Sequence, residues 1–207
     1  MTGSIQGTCS QCGQPQTAGA AAEGLCPHCL LTAGLGHDYA VLNVLGQGEH
    51  GTVYLAEQQP SGRLVALKIL AGNSAADILS RLRRQAPMLR AMDHPNAART
   101  LDIAVTGDPD AYVATEYVRG SPITSYCERL QIPRAGRLQL LAAVAALLRC
   151  AHDIGVAHGG IKPSNVLAFG RAATPSVKVT DFGLHLADAR ADELALAALV
   201  EVVVASC

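Results

Sequence analysis

The sequence predicts an α+β protein in which a sheet-rich lobe comes first and a helix-rich lobe follows. The first half holds β-branched and apolar runs that are broken by glycine, which is typical of short antiparallel strands. The second half holds the longest Ala/Leu-rich helical pattern. The expected strands are 39–45, 52–57, 64–70, 101–105 and 112–117, the expected helices are 75–92 and 138–154, and short extended pieces are expected at 166–167 and 177–179.

Composition and charge exclude several classes of partner. The chain is 49% hydrophobic and 16% charged, which is typical of a globular protein, and its net charge of -1 gives no field that would attract nucleic acid or an acidic membrane surface. The N-terminus has neither the basic nor the apolar region of a signal peptide. The longest apolar run, 194–205, is shorter than the roughly 20 residues of a spanning helix. We therefore expect a soluble, cytoplasmic protein without nucleic-acid or membrane partners.

Four cysteines near the N-terminus form two C-x-x-C pairs, Cys9 with Cys12 and Cys26 with Cys29. The segment that holds them, 1–36, has almost no periodic apolar pattern and cannot bury enough surface to fold unaided. Four thiolates at this spacing can hold Zn²⁺ in a tetrahedron, and the metal then supplies the missing folding free energy. Four unrelated cysteines are the alternative. We expect a zinc-ribbon-like segment whose closed metal site has a structural role.

A glycine motif of the form G-x-G-x-x-G-x-V occupies residues 46–53. In a dinucleotide-binding fold such glycines open a helix, whereas here the chain continues as a strand, which is the setting of a loop that folds over ATP phosphates. The next strand ends in the sequence Val-Ala-Leu-Lys, with Lys68 last. Its ammonium group could hold the α- and β-phosphates. The two motifs in this order indicate a site for a nucleoside triphosphate.

From about His37 onward the chain resembles the bacterial serine/threonine protein kinases. The resemblance implies a protein-kinase-like, two-lobed fold over residues 37–207, with a small lobe at about 37–118 and a partial large lobe at about 119–207. A zinc ribbon ahead of such a domain is similar to the arrangement in planctomycete-type kinases. Besides the glycine loop and the lysine, the matching segments are 93–96 (the turn after the αC helix), 115–118 (gatekeeper and hinge), 158–167 (catalytic loop) and 181–183 (Asp-Phe-Gly).

The resemblance also implies ATP and Mg²⁺ as ligands and assigns residues to them. Asn165 and Asp181 are the implied magnesium ligands, and Lys162 would face the γ-phosphate as the remaining catalytic group. The residues implied to bind the nucleotide are Leu45, Gly46, Gly48, Gly51, Val53, Ala66, Lys68, Glu116, Val118, Asn165, Leu167 and Asp181.

The sequence departs from the family pattern at residues that carry chemistry. The family has His-Arg-Asp where this chain has His158 followed by Gly159 and Gly160. The missing aspartate is a positioned base, which is worth roughly 10²–10⁴ in rate. The family's αC glutamate aligns with Gln85, which falls on the inward stripe of its helix but carries no charge, and Pro87 should kink that helix.

A further departure concerns the segment after Asp181-Phe182-Gly183. The chain from Asp192 onward resembles the family's αF helix, so an activation segment of ordinary length cannot fit between the two. Ending the large lobe at this helix should leave Leu196, Leu199, Val203 and neighbouring residues partly uncovered, which predicts self-association through the helix or marginal stability.

These features favour a pseudokinase that binds Mg-ATP and acts as a scaffold or regulator for an unknown protein partner. One alternative is a weakly active serine/threonine protein kinase that uses Lys162 and water without a dedicated base. The other alternative is a zinc-ribbon interaction module that carries a non-functional kinase remnant.

Overall fold

The computed structural model describes two short N-terminal strands and most of the chain from Asp38 onward. Strands β1 (Ile5–Thr8) and β2 (Pro15–Thr17) form an antiparallel pair. The four cysteines of the expected zinc ribbon, Cys9, Cys12, Cys26 and Cys29, lie outside the described residues, so the ribbon and the domain boundary near residue 36 stay predictions. The described ranges are 5–8, 15–17, 38–48, 50–70, 75–105, 111–185 and 187–205.

The small lobe is a five-stranded antiparallel sheet with one helix packed on it, in the strand order β3-β4-β5-β7-β6. The glycines of the motif lie at the end of β3 and the start of β4, where Gly48 pairs with Gly51. Inward side chains such as Tyr54, Val65 and Leu67 build the core of this lobe. The elements are β3 (Tyr39–Gly48), β4 (Gly51–Gln58), β5 (Arg63–Leu70), α1 (Ala75–Ala91), β6 (Thr100–Val105) and β7 (Ala111–Glu116).

Helix α1 follows the expected apolar stripe. Ile78, Leu82 and Leu89 are buried, and Gln85 on the same face is half-buried. Helical structure continues through Pro87 to the end of α1. The helix therefore presents its apolar stripe, with one amide in it, to the core.

The large lobe combines helices with a three-stranded antiparallel sheet of order β10-β9-β8. Leu147 and Val144 of α3, together with Val166 and Val179 of the strands, belong to one continuous apolar core that also includes side chains from α1. The elements are β8 (Ser121–Pro122), α2 (Ile123–Arg129), α3 (Arg134–Asp153), a single 3-10 turn (Pro163–Asn165), β9 (Val166–Arg171), β10 (Thr174–Val179) and α4 (Ala189–Ala205).

Helix α4 corrects one sequence expectation. Leu199 and Val203 were expected to be partly uncovered, but only 2% and 0% of their surfaces are exposed. They pack into the large-lobe core, and the buried guanidinium of Arg137 donates a hydrogen bond from Nη1 to the Val203 carbonyl at 2.8 Å. Leu196 is half-buried, as expected. Self-association through this helix stays a prediction.

The two lobes are joined away from the hinge as well. The Val179 N–H donates to the Asn96 carbonyl at 2.7 Å, and the Ala98 N–H donates to the Val179 carbonyl at 2.8 Å. The Asn96 side-chain amide donates to the Val177 carbonyl at 2.8 Å. This joint fixes strand β10, and with it the Asp181 that follows, against the small lobe. Among the described helices, none has the length and apolarity needed to cross a membrane.

Candidate functional site

A cavity of about 420 Å³ lies between the two lobes. This volume falls within the range of small-molecule sites in proteins. Of the residues that the family resemblance assigned to nucleotide, magnesium or the γ-phosphate, all but Gly51 line the cavity. The lining residues that were expected are Leu45, Gly46, Gly48, Val53, Ala66, Lys68, Glu116, Val118, Lys162, Asn165, Leu167 and Asp181.

An ion pair closes one end of the cavity. Strand β5 carries Lys68 to this end, and its Nζ lies 2.7 Å from the Asp181 carboxylate. Lys68 is buried, whereas the Asp181 side chain is 26% exposed and therefore accessible to a ligand. The Asp181 backbone has φ 68°, a left-handed conformation that costs a non-glycine residue about 1–2 kcal/mol. Backbone strain of this kind is concentrated at functional sites.

The residues at this end have the donor atoms that a magnesium ion requires. Asp181 Oδ2 accepts a hydrogen bond from Lys68 Nζ. Asp181 Oδ1 has no hydrogen-bond partner in the described part of the chain. Asn165 donates its amide Nδ2 to the Gly160 carbonyl at 2.8 Å, which orients Oδ1 away from that contact. Oxygen ligands from a carboxylate and an amide beside bound phosphates are the usual protein share of a Mg²⁺ site. The side chains present therefore fit Mg²⁺ held together with phosphates.

The opposite end of the cavity is formed by the segment after β7. The Glu116 carboxylate accepts a hydrogen bond from Lys178 Nζ at 2.8 Å, so its charge is already neutralised by the protein. The Val118 carbonyl accepts from the Gly120 N–H. A Cβ on Gly120 would come within 2.9 Å of the Ala168 carbonyl, so glycine permits the close approach of this segment to β9.

Gln85 lies near the site, but its neutral amide cannot form an ion pair. Its Oε1 is buried and has no hydrogen-bond partner among the described residues. A Cβ built on Gly183 would lie 2.9 Å from that oxygen, which places the amide beside the Asp-Phe-Gly turn. Among the described residues, Lys68 pairs only with Asp181, so the lysine is held by the large lobe and not by α1.

His158 is an internal support of the catalytic loop. Its ring is fully buried and packs edge-on against Phe182, with the ring centroids 4.5 Å apart. Nε2–H donates to the Thr180 carbonyl at 2.7 Å, and Nδ1 accepts from the Gly160 N–H at 3.0 Å. Burial lowers the pKa of this imidazole, and the N–H that faces Nδ1 leaves no space for a second proton. The His158 ring is therefore neutral and has a structural role, and it cannot act as a base.

Asp192, in the first turn of α4, holds the same loop from the other side. Its carboxylate is fully buried and accepts 2.7 Å hydrogen bonds from the backbone N–H groups of His158 and Gly159. His152 Nε2 donates a third bond at 2.8 Å. These three donors satisfy a charge that would otherwise be costly to bury.

Two histidines in the cavity were missed by the sequence interpretation. His50 lies in the glycine loop and His185 follows the Asp-Phe-Gly turn, and both line the cavity. Nε2 of His50 is 3.2 Å from Nδ1 and 3.3 Å from Nε2 of His185. The only signal in the sequence was their proximity to two recognised motifs.

Lys162 is exposed at the large-lobe side of the cavity. Within the described residues its ammonium group forms neither an ion pair nor a side-chain hydrogen bond. It is therefore available to an anionic ligand, in contrast to Lys68.

Comparisons with known proteins agree with this geometry. The model of the protein kinase domain family matches residues 39–196. Serine/threonine-protein kinase pkn2 of Myxococcus xanthus is 34% identical over 148 residues, which are 70% of this chain and 18% of that protein. Serine/threonine-protein kinase PrkC of Bacillus subtilis is 33% identical over 152 residues, which are 72% of this chain and 23% of that protein.

Solved structures show the same architecture. The crystal structure of the Mycobacterium tuberculosis PknI kinase domain superposes with a TM-score of 0.70 at 27% identity, covering 84% of this chain and 77% of that one. The chain spans less than two fifths of the length of these curated relatives, with 18% of pkn2 and 23% of PrkC covered. The family match nevertheless includes the small lobe and the large lobe into α4. The chain therefore belongs to the protein kinase family, among the bacterial serine/threonine kinases.

Proposed function

We propose that this chain binds Mg-ATP between its lobes and acts as a nucleotide-binding scaffold or regulator for a protein partner. The observation that carries the proposal is the 2.7 Å pair of Lys68 and Asp181 at one end of the 420 Å³ cavity, with Asn165 beside it. Lys68 would hold the phosphates, and Asp181 and Asn165 would hold the magnesium ion. Bound Mg²⁺ supplies positive charge that offsets the charge of the phosphate oxygens.

Transfer of phosphate to a protein substrate is impaired in this proposal. Gly160 stands where the family places the base that receives the proton of the substrate hydroxyl, and a base of this kind contributes roughly 10²–10⁴ in rate. Only residues 184–188 separate Gly183 from the start of α4. So short a link offers little backbone on which a peptide substrate could dock.

The regulatory part of the proposal follows from the position of the cavity. Its lining includes residues of the small-lobe strands and of the large-lobe loops. A ligand that contacts both favours the conformations in which they are close, and it biases any partner that distinguishes those conformations. Nucleotide would therefore regulate the partner because it binds more tightly when the two lobes are close than when they are apart.

Calorimetry with and without Mg²⁺ tests the binding step. We expect Mg-ATP to bind the intact chain, and we expect Lys68→Ala and Asp181→Asn to weaken binding at least tenfold, or about 1.4 kcal/mol. Arg63→Ala is the matched control because Arg63 is exposed at the opposite end of β5. Absence of binding in the folded wild-type protein, or equal affinity in all variants, would refute the proposed function.

We also propose that Cys9, Cys12, Cys26 and Cys29 hold a structural zinc ion. The support is their C-x-x-C spacing and the pairing of β1 with β2, which flank the first cysteine pair in the sequence. Elemental analysis should find one zinc per chain, lost in the double variant Cys9→Ser/Cys12→Ser and kept in Cys150→Ser. Protein that remains folded and zinc-free after growth in zinc-containing medium would contradict this assignment.

A further inference from the structure

The space that a side chain at position 160 would occupy is filled by His185. An ideal Cβ on Gly160 would lie within 2.6 Å of both Cδ2 and Nε2 of His185. Both distances are shorter than any non-bonded contact of a real Cβ, so an aspartate at position 160 and the present His185 ring cannot coexist. The imidazole therefore lies where the family's carboxylate would begin.

The contacts of Gly159 show that the backbone around His185, and not its ring alone, lies against the catalytic loop. A Cβ on Gly159 would lie 2.8 Å from the Cβ atoms of both His185 and Ala187. Leu184, just before the histidine, is 2% exposed and anchors the segment in the large-lobe core. The two glycines thus accommodate Leu184, His185 and Ala187 on the surface of the catalytic loop.

The ring is also at the phosphate end of the cavity. His185 lines it together with Lys162, Asn165 and Asp181, the groups assigned to phosphates and magnesium. His50, from the glycine loop above, contacts the ring at 3.2 Å. An imidazole between a phosphate-binding loop and an exposed lysine has the chemistry of a general base, because histidine is the residue most often used for proton transfer.

We propose that His185 replaces the missing aspartate as the base and that the chain hydrolyses ATP, with water in place of a protein hydroxyl. This inference rests on the proposed binding of Mg-ATP. In the tautomer it requires, Nδ1–H of His185 donates to Nε2 of His50 at 3.2 Å, and Nε2 of His185, which lies 3.3 Å from the same His50 nitrogen, is unprotonated. His185 would then be a catalytic residue and His50 a positioning residue.

The reaction step balances without a further reactant. The water oxygen forms a bond to the γ-phosphorus while the bond from that phosphorus to the β–γ bridging oxygen breaks. The proton of the water passes to Nε2 of His185, and the bond electrons remain on ADP. The products are ADP, phosphate and a proton, which the imidazole returns to solvent. Water is the acceptor in this proposal because only residues 184–188 separate Gly183 from α4, which leaves little backbone on which a peptide could dock.

Measurement of ADP release tests the catalytic role. We expect slow hydrolysis by the intact chain, abolished in Lys68→Ala and reduced roughly 100-fold or more in His185→Ala, the lower bound for a positioned base. Free imidazole should partly restore the His185→Ala rate, since it can enter the vacated space. His94→Asn is the matched control: His94 lies outside the cavity, its Nδ1 accepts from the Asn96 N–H, and asparagine keeps an acceptor. This control should hydrolyse ATP at the wild-type rate.

A stability measurement tests the placement of the ring without any reaction. Gly160→Asp should lower the urea midpoint of unfolding in the wild-type background, because its Cβ collides with the ring. The same substitution in the His185→Ala background should have a much smaller effect, and the difference is the coupling between the two positions. Equal effects in both backgrounds would show that the ring does not occupy this space and would overturn the inference.

The hydrolysis assay separates failure of this inference from failure of the proposed function. Calorimetry on the same preparations shows whether nucleotide binds. If Mg-ATP binds and no ADP forms, or if His185→Ala hydrolyses ATP as fast as the wild type, the base assignment is wrong while the proposed function stands. If Mg-ATP does not bind, both are wrong.

Discussion

At the scale of single residues, Gly159 and Gly155 differ only in their surroundings. Both have φ 76°, but a Cβ on Gly155 meets nothing within 4 Å, whereas one on Gly159 meets two Cβ atoms at 2.8 Å. We expect Gly155→Ala to cost about 1 kcal/mol of unfolding free energy for the backbone conformation. Gly159→Ala should cost a further 1–3 kcal/mol or so for crowding. Urea denaturation measures both.

The comparison of these two variants isolates the crowding. Similar losses in both would mean that His185 and Ala187 move aside at little cost. The docking of that segment on the catalytic loop would then be loose, and the position of His185 would not be fixed by it.

The buried imidazole of His158 makes stability depend on pH. Its folded pKa is lowered by burial, while the unfolded value is near 6.5. Above that pH both states are neutral and the group adds no pH dependence. Below it the unfolded chain binds a proton that the folded chain refuses, so stability falls as the pH falls towards the folded pKa. The neutral ring stabilises the fold fully only above about pH 6.5.

Substitution of His158 tests this linkage. His158→Asn should lose stability at pH 8, because the contact with Phe182 and the bond to Thr180 are disrupted. The difference in unfolding free energy between the variant and the wild type should shrink as the pH is lowered to 5. Only the wild type has the imidazole that is protonated in the unfolded chain, so only the wild type loses stability in this way. Urea unfolding at several pH values measures it. A difference that is the same at pH 5 and pH 8 would contradict the assignment.

Sequence reasoning named cavity residues that belong to local motifs, and it missed the two histidines, His50 and His185. Lys68 and Asp181 were recognisable because each lies in a short pattern with a known role, and the structure places them 2.7 Å apart. The position of His185 was not predictable in this way. Its contact with His50 spans 135 residues, and it depends on the absence of side chains at positions 159 and 160.

At the scale of secondary-structure elements, the first turn of α4 anchors the catalytic loop through Asp192. Removal of this buried carboxylate leaves the N–H groups of His158 and Gly159 without acceptors. We expect Asp192→Ala to lower the free energy of unfolding by about 3–5 kcal/mol, the usual cost of breaking a buried charged contact. Calorimetric or urea unfolding measures the loss.

Asp188 provides the matched control on the same helix. Its exposed carboxylate accepts from the Ala191 N–H at 2.9 Å, so it caps α4 without touching the catalytic loop. Asp188→Ala should cost only about 0.5–2 kcal/mol, as loss of a cap does. If the two variants were equally stable, the bonds from α4 to the loop would contribute nothing beyond capping.

The bounds of the secondary-structure elements were predicted well where the sequence pattern was strong. The burial of side chains was predicted less well where it depends on tertiary contacts. Strand β5 was expected at 64–70 and is observed at Arg63–Leu70, because a run of apolar and β-branched residues marks it. The burial of Leu199 and Val203 was not foreseen. It depends on Arg137, a charged residue that sequence rules place at the surface but that is 4% exposed beneath α4.

At the scale of the whole molecule, the lobes are connected by the hinge and by the Asn96 joint. The Asn96 amide bonds to the Val177 carbonyl across the lobe boundary, and the adjoining backbone bonds involve Val179. Strand β10 leads directly to Asp181, so the joint also determines where that carboxylate meets Lys68. The same hydrogen bonds therefore couple the lobes and determine the geometry of the site.

Asn96→Ala should loosen this coupling. Loss of the bond to Val177 leaves a partly buried carbonyl without its partner and should cost about 1–2 kcal/mol, or a fall in Tm of about 2–8 °C for a chain of this size. Because the lobes would then unfold less cooperatively, we expect a broader calorimetric transition. Mg-ATP, which contacts both lobes in our proposal, should narrow it again.

Asn43→Ala is the control for this experiment. Asn43 is exposed in the same lobe, and within the described ranges its side chain accepts only from the N–H of the next residue, Val44. Its substitution should leave the width of the transition unchanged. If both variants gave the same width as the wild type, the Asn96 joint would not couple the lobes, and nucleotide would have to bring Lys68 and Asp181 together through the hinge alone.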